Sequence, residues 1–317
     1  QTWMTHSEDP WLAADFPTFS SITPRLGNWH ARVNQRGRLD LWDAVLLPDG
    51  RILLGLGHAG ALVLSRQGKV AQRFSFACHH WVLPERGHLY LAIGECDDID
   101  SLTRFQAHNY QHQPWCQVAL QSWNQVHDGF LWPVIQQEKL FLIDVRASDW
   151  RSPQKLNLEE CFEVQACKDR LLLFRADSIC RYDYPGMRYR SSEPLGQDVA
   201  LSALSQDAII KVKLDFRDDG FCHGYSYATL KQSLPPCRGL QLQVNSRWAA
   251  LSAQTPQGRL FHAFPLRGTP KNYQLELPDS TRSRTRLCGD TLVVSDNLGR
   301  LLLLDLRAGE WLHQFFL

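Results

Sequence analysis

Leu287-Cys-Gly-Asp-Thr-Leu-Val-Val-Ser-Asp-Asn-Leu-Gly-Arg-Leu-Leu-Leu-Leu-Asp-Leu-Arg-Ala-Gly-Glu-Trp311 decides how the rest of the chain is read. A polar turn leads into a short apolar run, Thr291 to Ser295. A second turn, Asp296 to Gly299, leads into Arg300 to Leu306. A third, Ala308-Gly309, leads into Glu310 to Leu317. Short runs rich in Val, Leu and aromatic residues, set between Gly, Asp and Asn, are hairpin-linked strands.

The same arrangement recurs upstream. A turn precedes an apolar second strand at Asp49-Gly50, Arg86-Gly87, Glu138, Lys168-Asp169, Gln206-Asp207, Ser246 and Gly289-Asp290. The mean spacing of these seven anchors is about 40 residues. A third strand also recurs, as Ala61-Leu-Val-Leu, Leu260-Phe-His-Ala-Phe and Leu301-Leu-Leu-Leu-Asp. Helical periodicity is almost absent after residue 40. A four-stranded repeat of this period predicts an all-β protein, a seven-bladed β-propeller over residues 40–317. The alternative, one or two β-sandwiches, does not require a constant repeat. Residues 1–39 lie outside the repeat. Pro10, Pro17 and Pro24 with Trp3, Trp11, Phe16, Phe19 and Trp29 predict an extended aromatic segment that packs on the propeller or on a partner.

A hydrophobic content of 44% and a charged content of 21% allow a real core, and a net charge of +1 provides no global field for nucleic acid or an anionic membrane. No apolar run is long enough for a membrane helix. Nine cysteines, an odd number without a Cys-x-x-Cys pair, predict reduced thiols and a cytoplasmic location rather than a disulfide framework. Residues 1–30 lack the layout of a signal peptide. Gln1 is not an initiator residue, and because a removed signal leaves no trace, a periplasmic location stays open.

The closing repeat, Gly289 to Trp311, resembles those of PQQ-like and WD-like propellers, and residues 45–74 resemble them less closely. The Trp42-Asp43 pair stands before the first strand, outside the WD register, and nothing carries over a quinone site, so no cofactor is expected. The divergent propeller with its Trp-rich lead-in also resembles the β-propeller component of bacterial ternary systems built on a MoxR-type AAA+ ATPase and a von Willebrand A (vWA) protein. That resemblance implies an AAA+ ATPase and a vWA-domain protein as partners.

The longest interval between anchors, 86 to 138, places an insertion around Glu95-Cys-Asp-Asp-Ile-Asp100 and Phe105 to Trp115. Long loops carry function, and Asp97, Asp98, Asp100, Phe105, Tyr110 and Trp115 suit a protein interface. The plain alternative is a loop that packs on its own blade. His108, His112 and Cys116, four apart, would share one helix face as zinc ligands, but Pro114 interrupts a helix and no fourth ligand is evident. Asp97, Asp98 and Asp100 lack the glycine and glutamate of a calcium loop. Cys78-His79-His80 would alternate faces on a strand and cannot easily share a metal. Asp215 to His223 reads as a turn at Asp219-Gly220 with solvated carboxylates. Arg282, Arg284 and Arg286 alternate along a strand as a basic patch for a partner, or as a solvated edge. Gly55-Leu-Gly57-His-Ala-Gly60 has no following helix and is a turn.

No Ser-His-Asp, phosphate-loop or His-Glu-x-x-His motif occurs. The expected function is therefore a non-catalytic protein-interaction scaffold in a bacterial cytosolic assembly. Two other classes stay open: a hydrolase or lyase with carboxylates at the channel mouth, and a ligand or metal sensor.

Overall fold

The computed structural model describes residues 28–82, 89–96, 99–118, 131–136, 139–144, 155–157, 161–167, 170–175, 177–183, 186–194, 200–204, 209–268 and 271–317. Every regular element among them is a strand. β1 (Asn28–Arg32) comes first. β2 (Asp43–Leu46), β3 (Ile52–Gly55), β4 (Ala61–Leu64) and β5 (Val70–Phe74) form a four-stranded meander. β6 (His80–Val82), β7 (Leu89–Gly94), β8 (Asp100–Gln106) and β9 (His112–Val118) form the next. β10 (Leu131–Gln136), β11 (Lys139–Asp144) and β12 (Lys155–Asn157) form a three-stranded sheet. β13 (Cys161–Cys167), β14 (Arg170–Arg175), β15 (Ser178–Asp183) and β16 (Tyr189–Pro194) form another of four. Then come β17 (Ala200–Leu204), β18 (Ile209–Phe216), β19 (Cys222–Tyr227), β20 (Leu230–Val244), β21 (Trp248–Thr255), β22 (Gly258–Pro265) and β23 (Asn272–Pro278). The last sheet is β24 (Ser283–Cys288), β25 (Thr291–Asp296), β26 (Arg300–Asp305) and β27 (Glu310–Phe316).

All seven runs that the sequence anchors introduce are strands: β3, β7, β11, β14, β18, β21 and β25. The closing repeat folds as read, and its outer strand β27 comes from the same repeat. Two expectations are corrected. The stretch 95–117 is no inserted loop; it is chiefly the β8–β9 hairpin, the ordinary third and fourth strands of its sheet. The two repeats between residues 200 and 278 also do not form separate four-stranded sheets. β17 to β23 run with β1 as one eight-stranded sheet. Its fifteen-residue β20 pairs with β19 as far as Cys237 and with β21 from Arg238 onward.

The chain divides into two compact units, residues 1–79 with 214–317, and residues 80–213. In the first, the closing sheet separates two cores. Leu292, Val294, Leu302 and Leu304 face one core with Phe261, Tyr273 and Leu275. Val293, Leu301 and Leu303 face the other with Ile52, Leu54, Leu62 and Leu64. Successive side chains of a strand point to opposite faces, so a strand buried on both sides reads as continuous Leu and Val. Each such side chain contributes about 1.5–3 kcal/mol. The outer strand β5 alternates instead, because one face meets water.

Residues 28–41 lie along this unit. β1 pairs in parallel with β23. The backbone N–H of Gly37 donates to Leu298 O at 2.8 Å, and those of Arg38 and Leu39 both donate to Leu317 O. A Cβ at Gly37 would meet Leu317 O at 1.9 Å, so glycine is required by the close approach. Gly299, at φ 70°, closes the β25–β26 turn, where Asp296 Oδ1 accepts from the N–H groups of Leu298 and Arg300.

Candidate functional site

The β8–β9 hairpin of the second unit carries Phe105, Tyr110 and Trp115, the aromatic residues that the sequence marks for an interface. Its loop, Ala107 to Tyr110, is closed by Gln106 N–H to Gln111 O at 2.8 Å and Tyr110 N–H to Gln106 O at 2.9 Å. Asn109 Oδ1 accepts from Gln111 N–H at 3.0 Å. Tyr110 sits at φ 61°. A side chain in the left-handed region costs about 1–2 kcal/mol. The Tyr110 ring lies nearly parallel to that of Phe105, at 6.5 Å between centroids. Phe105 is fully buried and anchors the hairpin against Trp81.

On the solvent side, the Arg104 guanidinium lies 4.4 Å from the Trp115 ring centroid. Arg104, Gln106, Tyr110, Gln111, His112, Gln113 and Leu89 line an open hollow of about 770 Å³. Pro114 is tolerated because β9 is the outer strand of its sheet, where a missing N–H breaks no ladder.

Other marked residues fall elsewhere. Asp97 and Asp98 lie outside the described residues. Asp100 is largely buried at the start of β8. His112 and Cys116 are strand residues four apart and His108 is in the turn, so the helical face that a zinc set needs does not exist. Among the described residues, no group of three His, Cys, Asp or Glu is arranged to hold a metal.

Cys78-His79-His80 is not one strand: Cys78 makes an isolated bridge to Gly57, His79 is a bend and only His80 begins β6. The His79 ring stands edge-on to Trp42 at 4.4 Å and to His58 at 4.6 Å. His80 Nε2 lies 2.7 Å from Glu95 Oε1. At the Asp215–His223 turn, the backbone N–H of Phe221 and then the His223 ring lower the Asp219 carboxyl below its usual range.

The arginine ladder is not one exposed patch. Arg286 is 2% exposed and makes a bidentate pair with the fully buried Asp43 of β2. Arg282 pairs with Asp40 and lies 3.5 Å from the Trp42 ring centroid. Arg284 is half-buried on the same strand. The burial of Arg286 takes it out of any docking face and makes it a tie between the first and last sheets of its unit. Arg300 ties the last sheet to the eight-stranded sheet instead. It pairs with Asp296 at 2.7 Å and donates to Val33 O and Pro278 O, each at 2.8 Å. Sequence reading missed these ties and the part of Arg104. A charged residue within a strand-forming run is the only local signal, and it does not name the partner.

No protein-family model matches the chain, and no curated protein matches it. Solved structures do. Kluyveromyces lactis Hsv2 superposes with a TM-score of 0.54 at 10% identity, covering 86% of this chain and 96% of that one. KlAtg21, solved in complex with the coiled-coil of AgAtg16, gives 0.52 at 11% identity, covering 84% and 94%. The N-terminal domain of Nup159 gives 0.52 at 9% identity, covering 91% and 97%. These are β-propeller proteins, and the likeness shows that this all-β chain has the propeller fold.

Proposed function

We propose that the chain is a non-catalytic protein-interaction scaffold whose partner face is the β8–β9 hairpin. The Arg104–Trp115 stack beside Tyr110 carries this reading. Trp, Tyr and Arg dominate interface energetics because each combines a large rigid contact area with a polar handle. Here Arg104 links the two aromatics, stacked on Trp115 and sharing the open hollow with Tyr110, whose ring lies against the buried Phe105. KlAtg21 is a propeller solved with a protein partner, so the architecture can carry one. An AAA+ ATPase and a vWA-domain protein, which the resemblance of the divergent propeller with its Trp-rich lead-in implies, are the partner class to test first. Seven blades, counting β20 in two of them, and a cytoplasmic location complete the proposal. No observation favours catalytic carboxylates or a bound metal over this reading.

The test is capture with the full chain as bait, comparing wild type with Trp115→Ala and Arg104→Ala. Loss of partners with unchanged melting temperature supports the assignment. An unchanged partner set removes the hairpin from the interface.

A further inference from the structure

We propose that Cys222 and Cys237 form a dithiol–disulfide pair, a cross-strand modification site on the β19–β20 hairpin. The two are direct register partners. Directly opposed residues of antiparallel strands have Cα atoms about 4.5–5.5 Å apart, inside the span that a disulfide bridges. Both are fully buried. Cys237 Sγ lies 3.3 Å from Cys222 O, and Cys222 Sγ lies 3.1 Å from Gly224 O. Among the described cysteines no other two are register partners.

The position is where β20 changes neighbours. Pro235 and Pro236 withhold two ladder donors just before Cys237, and Arg238 already pairs with Gln254 of β21. Cys222 is next to the bulge that breaks the β19–β20 register. A bond between the two sulfurs would staple the hairpin at its weakest rung.

The oxidant is a small disulfide such as oxidised glutathione. A thiolate of one cysteine attacks it and releases one reduced thiol. The second cysteine then attacks the mixed disulfide and releases another. The Cys222–Cys237 bond forms, the glutathione S–S bond breaks, and the two cysteine protons end on the two released thiols. Burial, and then the neighbouring Cys222, push the Cys237 thiol up to about 12. The closed hairpin is therefore slow to react, and exchange requires local opening or takes place before the hairpin closes.

The test incubates the reduced full chain with oxidised glutathione, both folded and during refolding from denaturant. Free thiols are then alkylated and peptides mapped by mass spectrometry without reduction. The expected product in at least one sample is a Cys222–Cys237 linked peptide lacking two hydrogens, with exposed Cys96 carrying glutathione as a sign that the oxidant reacted. The melting temperature of the linked protein should rise by roughly 5 °C, and Cys222→Ser and Cys237→Ser should each abolish the rise. Both thiols alkylated or glutathione-capped in both samples overturns the proposal, as does a linked form that melts lower.

Discussion

At the seam between the first and last sheets of its unit, Arg286 is locked against Asp43 with almost no exposure. On the hairpin face of the other unit, Arg104 lies over Trp115 beside an open hollow. Both arginines sit mid-strand between strand-forming residues. What separates them is the depth of the surrounding packing. A buried charge whose partner is removed is left without solvation, which costs several kcal/mol. An arginine over a ring at the surface gains at most about 1 kcal/mol from that contact and keeps its capacity to meet a partner. The first kind of arginine holds sheets together; the second is the kind that the proposed interface uses.

The contrast is sharpest if the seam is broken. Asp43→Ala should destabilise the protein by about 3–5 kcal/mol in chemical denaturation, because Arg286 is then buried and unpaired. Asp43→Leu combined with Arg286→Met should recover most of that loss. A single-variant cost under about 1 kcal/mol would mean that the seam is solvated.

His262 gives a second, slightly smaller effect. It is 1% exposed on β22, with Nδ1 3.3 Å from the Tyr225 hydroxyl. Burial lowers its pKa to about 4. The unfolded chain therefore takes up the proton first as pH falls below about 6.5. Stability is complete above that pH and lost toward pH 4, by about 3 kcal/mol. The gap between wild type and His262→Leu, measured by denaturation at neutral pH and near pH 4, should shift by that amount in favour of the variant. A constant gap would place the imidazole in water.

On the recognition side, Trp115→Ala should weaken partner binding by about 2 kcal/mol, read by titration calorimetry, while leaving the denaturation midpoint nearly unmoved. The smallest effect belongs to Arg247, an exposed arginine paired with Asp290 at 2.7 Å. Arg247→Ala should cost under about 1 kcal/mol, and less in high salt. A cost matching that of Asp43→Ala would erase the distinction between the two settings.

The repeat was legible because the second and third strands of its clearest copies are buried on both faces. Ile52 to Leu54 and Leu301 to Leu304 read as unbroken apolar runs between turn residues, whatever surrounds them. The β8–β9 hairpin was misread as an insertion for the opposite reason. His112-Gln-Pro-Trp-Cys-Gln-Val118 is an outer strand, and its polar residues and proline look like a loop until Thr103 and Gln113 are seen to have partners. The hairpin's aromatic residues could still be picked out, since an aromatic among polar neighbours is visible without a fold, but Phe105 proves to be buried core. The burial of Arg286 could not be read, because it depends on Asp43, which is 243 positions away. The merging of repeats through β20 was hidden as well, since a strand that changes neighbours midway leaves no break in its own sequence.

The parallel strand β1 sets an order of events. His30 meets Glu276 across 246 positions, so in a chain emerging from a ribosome the segment waits on the order of ten seconds or more before its partner strand exists. During that interval the edge it will cover is also missing, and afterwards the outer edge of β23 is closed to strand-adding neighbours. β1 thus acts as a late lock: it seats only once β23 has been made, and a chain that stopped short of β23 would be left with β1 unpaired.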